Sequence, residues 1–153
     1  MSGEFQPALV RRLLRSNEPA PQVAYSARAA AAALQVADRH FRRLINDGLI
    51  PARTGGRARG YIIAGGTLID IHGGPLDGIN DHRDPELLDP DQPYYRAQVA
   101  QLLGVSPDLA HRFLTTGVLR VDERANNRPL VYGRTMLEFL SGRDEPIRHA
   151  ESA

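Results

Sequence analysis

Tyr25-Ser26-Ala27-Arg28-Ala29-Ala30-Ala31-Ala32-Ala33-Leu34-Gln35-Val36 runs directly into Ala37-Asp38-Arg39-His40-Phe41-Arg42-Arg43-Leu44-Ile45-Asn46-Asp47-Gly48-Leu49-Ile50. Ser26 can cap a helix that continues through about Leu34, and alanine is the best helix former. Residues 37–47 predict a second helix, with Gly48 placed where a left-handed cap is wanted. Ala30, Leu34, Val36, Phe41, Leu44 and Ile45 are the expected core contacts, and the run of alanines lets a partner approach closely. The same grammar returns as Tyr94-Tyr95-Arg96-Ala97-Gln98-Val99-Ala100-Gln101-Leu102-Leu103-Gly104-Val105-Ser106-Pro107, continuing to Gly117-Val118-Leu119. Leu34 pairs with Leu103, Val36 with Val105, Arg43 with Arg112 and Gly48 with Gly117, always at an offset of 69 residues.

Five segments follow from this repeat: an N-terminal helix and linker (1–22), a first unit (23–72), an acidic Pro/Gly linker (73–93), a second unit (94–142) and a polar tail (143–153). In the first segment Phe5, Leu9, Leu13 and Val10, Leu14 recur at helical spacing, with Arg11, Arg12 and Arg15 largely off that stripe. Glu18-Pro19-Ala20-Pro21 ends this helix, because proline disfavours helical geometry before it. Beyond Pro51, residues 53–57 and 59–63 flank Gly55-Gly56 and predict a small hairpin. Thr67-Leu68-Ile69-Asp70-Ile71 is compatible with either a helix or a strand. In the second unit Ser106-Pro107-Asp108 supplies a capping oxygen, a proline at the first helical position and an acid at the positive helix end. Asn126-Asn127 suits a tight turn between strands at 119–123 and 128–132. Residues 135–140 predict a last helix, with Met136, Leu137, Phe139 and Leu140 available for packing, and the tail is expected to fray.

With 153 residues, no tryptophan and few aromatics, each core is expected to be small and aliphatic. The absence of cysteine excludes disulfides, thiolate metal sites and cysteine nucleophiles. No apolar run reaches a membrane span and no secretory leader is legible, so a soluble cytoplasmic protein is expected. The net charge of +1 hides an uneven distribution. Residues 25–72 carry a local +4, residues 73–93 a local −5 and residues 94–140 a local +2. All 19 basic residues are arginine, a side chain whose fork suits phosphates.

Two helices joined by a three- or four-residue turn and followed by a hairpin, twice over, resemble the excisionase/MerR-like winged helix-turn-helix family of phages, mobile elements and bacterial regulators. The likeness is carried by residues 30–36 through Gly48-Leu49-Ile50-Pro51 with a wing at 53–63, and by residues 99–106 through Gly117-Val118-Leu119 with 128–140. It implies a mainly α fold with small β-hairpin wings, made of two tandem winged units behind a short N-terminal helix. It also implies sequence-specific binding of double-stranded DNA, as a transcriptional repressor or excisionase-type factor in a bacterial host. In the family the second helix enters the major groove and the wing touches adjacent backbone or minor groove. Transferred to this chain, Arg39, His40, Arg42 and Arg43 lie on the first recognition helix. Arg53, Arg57 and Arg59 lie on the first wing, where arginine can fork phosphates or enter a narrow minor groove. The second copy departs from the pattern: its helix offers Asp108, His111, Arg112, Thr115 and Thr116. Its wing sets Asp122 and Glu123 beside Arg120, Arg124 and Arg128. A homodimer through Phe5, Leu9 and Leu13, and contact with a recombinase or the transcription machinery, are further partners this reading allows.

As a flexible coil the 73–93 linker would span roughly 25 Å, against roughly 34 Å between adjacent major grooves on one face. Asp70, His72, Asp77, Asp81, His82 and Asp84 raise a metal site, but without fixed ligand spacing they read better as solvated charge. No phosphate-binding loop with lysine is present, and no histidine sits in a local nucleophile pattern. Neither a cofactor nor an enzymatic role is therefore expected. The competing reading is a protein-interaction or phage-assembly module on the same fold, such as an adaptor resembling a terminase small subunit.

Overall fold

Residues 5–15, 18–54 and 60–142 are described by the computed structural model. The tip of the expected first hairpin, with Arg57 and Arg59, and the polar tail 143–153 lie outside the described residues. Helix α1 (Pro7–Arg15) precedes two stretches with the same element order. The first holds β1 (Ala24–Ser26), α2 (Ala27–Leu34), α3 (Asp38–Asn46), β2 (Ile62–Ala64) and α4 (Gly65–His72). The second holds β3 (Pro93–Tyr95), α5 (Arg96–Leu103), α6 (Pro107–Thr116), β4 (Glu123–Ala125), β5 (Arg128–Tyr132) and α7 (Gly133–Ser141). β1 pairs antiparallel with β2, and an isolated antiparallel Arg53–Ile62 bridge lies on the other edge of β2. The second sheet has the order β3-β5-β4, antiparallel throughout. The described fold is thus helical with two small antiparallel sheets.

Local chemistry accounts for most of these boundaries. Ser26 Oγ accepts from the Ala29 N–H at 3.1 Å, and Ser106 Oγ accepts from the Leu109 N–H at 3.1 Å. Asn126 (φ 54°) and Asn127 (φ 65°) are both left-handed, as a two-residue hairpin turn requires. The segment at 67–71, open between helix and strand, is helical within α4. Strands β1 and β3 are additions to the sequence reading; three residues are too few to display an alternating pattern. α7 starts two residues before the expected Thr135. The Gly133 and Arg134 N–H groups donate to Gln92 O (2.9 Å) and Pro90 O (3.0 Å), so the first turn is satisfied from outside the helix.

The core corrects one expected contact and joins the halves. Ala30, Phe41 and Ile45 are buried and Leu34 and Leu44 partly so, but Val36 is 41 % exposed in the α2–α3 turn. Val23, Ala24, Ile62 and Ala64 of the first half pack in one cluster with Leu102, Phe113, Leu119 and Phe139 of the second. The Val23 N–H donates to Leu102 O at 2.8 Å across the same junction. α1 attaches to the connector through Gln92 Nε2 to Arg12 O (2.7 Å) and to the second half through Gln98 Nε2 to Arg15 O (3.2 Å). On the stripe expected to dimerise, Phe5 is 77 % exposed and Leu13 half-buried, whereas the Leu9 side chain lies outside the described set; Leu14 is 65 % exposed. Among the described residues no helix is long and apolar enough to cross a membrane.

Residues 73–93 are not the flexible coil expected from their composition. Leu88 is fully buried in the larger cluster and His82 is buried against α4. The Asn80 N–H donates to Tyr25 Oη (2.8 Å) and the Asp89 N–H to Tyr94 Oη (3.1 Å), two tyrosines at matching places in the repeat. Arg83 forks Asp70 (3.1 Å) and Asp81 (2.9 Å), and Asp84 and Asp89 accept from the backbone N–H two residues on. Prolines, glycines and acids here encode successive tight turns with internal partners, not a solvated tether.

One consequence is measurable by pH. His82 Nδ1 accepts the Gly66 N–H at 3.1 Å, so the ring is neutral, with its proton on Nε2. Burial pushes its pKa down, against the opposing pull of Asp81 and Asp70 and with the help of Arg83. The unfolded chain then binds the proton more readily than the folded one. Stability falls as pH drops through the ordinary histidine value, about 6.5, and levels off below the folded-state value. Urea midpoints should fall between pH 7.5 and 5.5, and His82→Gln should make that fall shallower. Equal pH slopes for the two proteins would refute the assignment.

Candidate nucleic-acid interface

Helix α3 buries Phe41 and Ile45 and packs Leu44 beside them. At 3.6 residues per turn, Arg39, Arg42, Arg43 and Asn46 then share an arc of about 100° on the opposite side. Arg39, His40 and Arg43 are exposed. The guanidinium groups of Arg39 and Arg43 have no ion-pair or hydrogen-bond partner among the described residues. Arg42 is half-buried, and its Nε donates to Asp38 Oδ2 at 2.9 Å, an i,i+4 pair on the same helix. The Tyr61 hydroxyl donates to Asn46 Oδ1, fastening the chain entering β2 to the end of α3. The preceding turn is fixed by Gln35 in the left-handed region (φ 60°) and by the Val36 N–H on Ala31 O at 3.0 Å.

The packing of the two halves draws in one residue of the expected first wing. Arg53, expected to face DNA, lies over the Phe139 ring at 4.4 Å, and its Nη1 donates to Phe139 O at 3.0 Å. Its charge is committed to α7. Arg57 and Arg59 fall outside the described residues. Arg28, which spacing alone did not single out, is exposed in the first turn of α2.

On α6 the residues matching the α3 arc are Asp108, His111, Arg112 and Thr115. The arc's formal charge is +3 on α3 and 0 on α6. Arg96 Nη1 donates to His111 Nδ1 at 3.1 Å, and the Thr115 and Thr116 hydroxyls donate back to Arg112 O at 3.2 and 2.7 Å. Such back-bonding takes up the hydroxyl protons within the helix. Arg112 is exposed. On the second hairpin Arg124 and Arg128 are exposed, Arg128 over the Tyr95 ring at 4.3 Å and Arg124 within 3.5 Å of Asn127 O. Arg120 is spent internally: its Nε donates to Asp122 (3.0 Å) and its Nη2 to Thr135 Oγ1 (2.7 Å). Burial would raise Asp122, but the Tyr132 N–H, Thr135 and Arg120 outweigh it and hold the carboxyl below its usual range.

Among the described residues no group of three or more histidine and acidic side chains is placed to hold a metal ion. Asp70 and Asp81 instead close on Arg83, and His82 on the Gly66 backbone. An open groove of about 470 Å³ beside α5 is lined by Ala20, Gln22, Ala97, Ala100, Gln101, Gly104, Val105 and Pro107, none of them charged. Compared with family models, curated proteins and solved structures, the chain matches none.

Proposed function

We propose that this chain is a sequence-reading, double-stranded DNA-binding regulator made of two tandem winged helix-turn-helix units, with α3 as the principal recognition helix. The observation that carries the reading is the exposed pair Arg39 and Arg43, with Arg42 beside them, on the second helix of a tightly turned pair and opposite its buried face. Arginine can pair with guanine edges through two hydrogen bonds or fork a phosphate. The second unit, with Arg112, Arg124 and Arg128, is a weaker auxiliary contact. A repressor that occludes promoter elements, or an excisionase-type factor that bends DNA at a recombination site, would work this way. Neither does chemistry on DNA, and neither calls on a cofactor.

Selection from a random duplex pool, followed by anisotropy titration of the selected duplex at several salt concentrations, tests the reading. With three to five arginines on phosphates, log affinity should fall with log salt at a slope of about −3 to −5. Salt-independent binding, or no enrichment of any duplex, would remove DNA reading as the function. A second reading, a protein-docking module, draws on the exposed Phe5, just before α1, and Leu14 within it. It requires those side chains, and not the α3 arginines, to be the sensitive positions.

A further inference from the structure

Two linked DNA readers can be tethered loosely or locked together, and the difference decides what kind of site they recognise. A loose tether accepts half-sites over a range of spacings, with avidity set by effective concentration. A locked pair accepts one spacing.

Here the junction is built from several independent contacts. The N–H of Val23, just before β1, donates to the end of α5. A Cβ on Gly104, at the α5 C-cap, would lie 2.1 Å from Gln22 Nε2 and 2.9 Å from Ala24 O, so the two backbones meet with no room for a side chain. Arg53 reaches from the first hairpin to the ring and carbonyl of Phe139. The connector caps both C-terminal helices, α4 through His82 and α7 through Pro90 O and Gln92 O. Buried residues of both halves also share one cluster with Leu88 of the connector. Separating the halves would break the Val23, Gly104 and Arg53 contacts and open the shared cluster together.

We infer that the two halves act as one rigid reader, and that its DNA partner is a duplex carrying a composite site with a single permitted spacing. This rests on the DNA-binding reading above for its ligand, but its rigidity is measurable without DNA. The chain has no cysteine, so Asp47→Cys and Thr116→Cys, at matching ends of α3 and α6, provide sites for a pair of spin labels. Pulsed dipolar spectroscopy should give one narrow distance peak, unchanged when the selected duplex is added. In the duplex, inserting two base pairs between the half-sites shifts one by about 7 Å and about 70°. That insertion should lower affinity to the level of a duplex with only one half-site, about tenfold or more. An insertion of ten base pairs should do the same, although it restores the face.

A broad label distribution overturns the rigidity. Comparable affinity over several spacings, or enrichment of one half-site alone, overturns the composite site while leaving DNA binding intact. Failure to enrich any duplex overturns both the DNA reading and the composite site, and the label distances still decide whether the halves are locked.

Discussion

Arg39→Ala/Arg43→Ala is expected to lower affinity for the selected duplex by about two to three powers of ten, whereas Arg112→Ala should cost about tenfold or less. Each well-placed bidentate arginine is worth about 1–3 kcal/mol, and about 1.4 kcal/mol is a factor of ten. Arg39 and Arg43 are one helical turn apart, exposed, and without internal partners among the described residues. Removing them strips the α3 arc of two of its three positive charges. Alanine is at least as good a helix former as arginine, so the thermal midpoint should stay unchanged and the loss should be one of binding. Arg42→Ala belongs between these cases. Its guanidinium already answers Asp38, and the acid left behind sits in the first turn of α3, where negative charge is tolerated. The salt slope distinguishes roles: loss of a phosphate contact lowers its magnitude by about one, while loss of a base contact relaxes sequence preference at one position. Wild-type affinity in the double variant would eliminate α3 as the reading helix.

The parts of the fold legible in the sequence are those whose cause is local. Ser26, Ser106-Pro107 and Asn126-Asn127 announce a cap, a helix start and a turn within four residues of themselves. The positions of Arg39 and Arg43 on the exposed arc of α3 follow from helical spacing, and the Asp38–Arg42 pair is an i,i+4 spacing that could have been read the same way. What escaped depends on distant partners. β1 is a strand because β2 lies 38 residues beyond it. Arg53 is drawn from the expected wing by Phe139, 86 residues away. The connector's acids and prolines look like a tether until Tyr25, Tyr94 and the starts of α4 and α7 are brought to meet them. Gln35 occupies the left-handed cap that Gly104 fills in the second copy, and glutamine gives no signal for that conformation.

Gly133→Ala and Gly65→Ala should each destabilise the fold by about 3 kcal/mol, although both positions begin a helix, where propensity alone favours alanine by about 1 kcal/mol. A Cβ on Gly133 would sit 1.9 Å from Asp89 O and 2.6 Å from its carbonyl carbon; on Gly65 it would sit 1.8 Å from Asn80 O. These are backbone atoms, so no side-chain rotation relieves the clash. Nor can the connector retreat freely. Asp89 is held by its N–H on Tyr94 Oη, and Asn80 by its N–H on Tyr25 Oη and its Nδ2 on Gln22 O (2.8 Å). Moving either segment forfeits hydrogen bonds worth about 1 kcal/mol each, on top of an overpacking cost of about 1–3 kcal/mol. For a chain of this size about 3 kcal/mol lowers the thermal midpoint by roughly 6–12 °C. Gly74→Ala is the control: nothing lies within 4 Å of its Cβ, and reduced freedom of the unfolded chain should leave it neutral or stabilised by up to about 1 kcal/mol. A Gly133→Ala midpoint equal to or above wild type would mean that the connector does not press on α7. Where the variant stays folded, the clash must be relieved by lifting the connector from the start of α7. The α3–α6 label distance should then broaden, because the connector is one of the ties that hold the two halves in register.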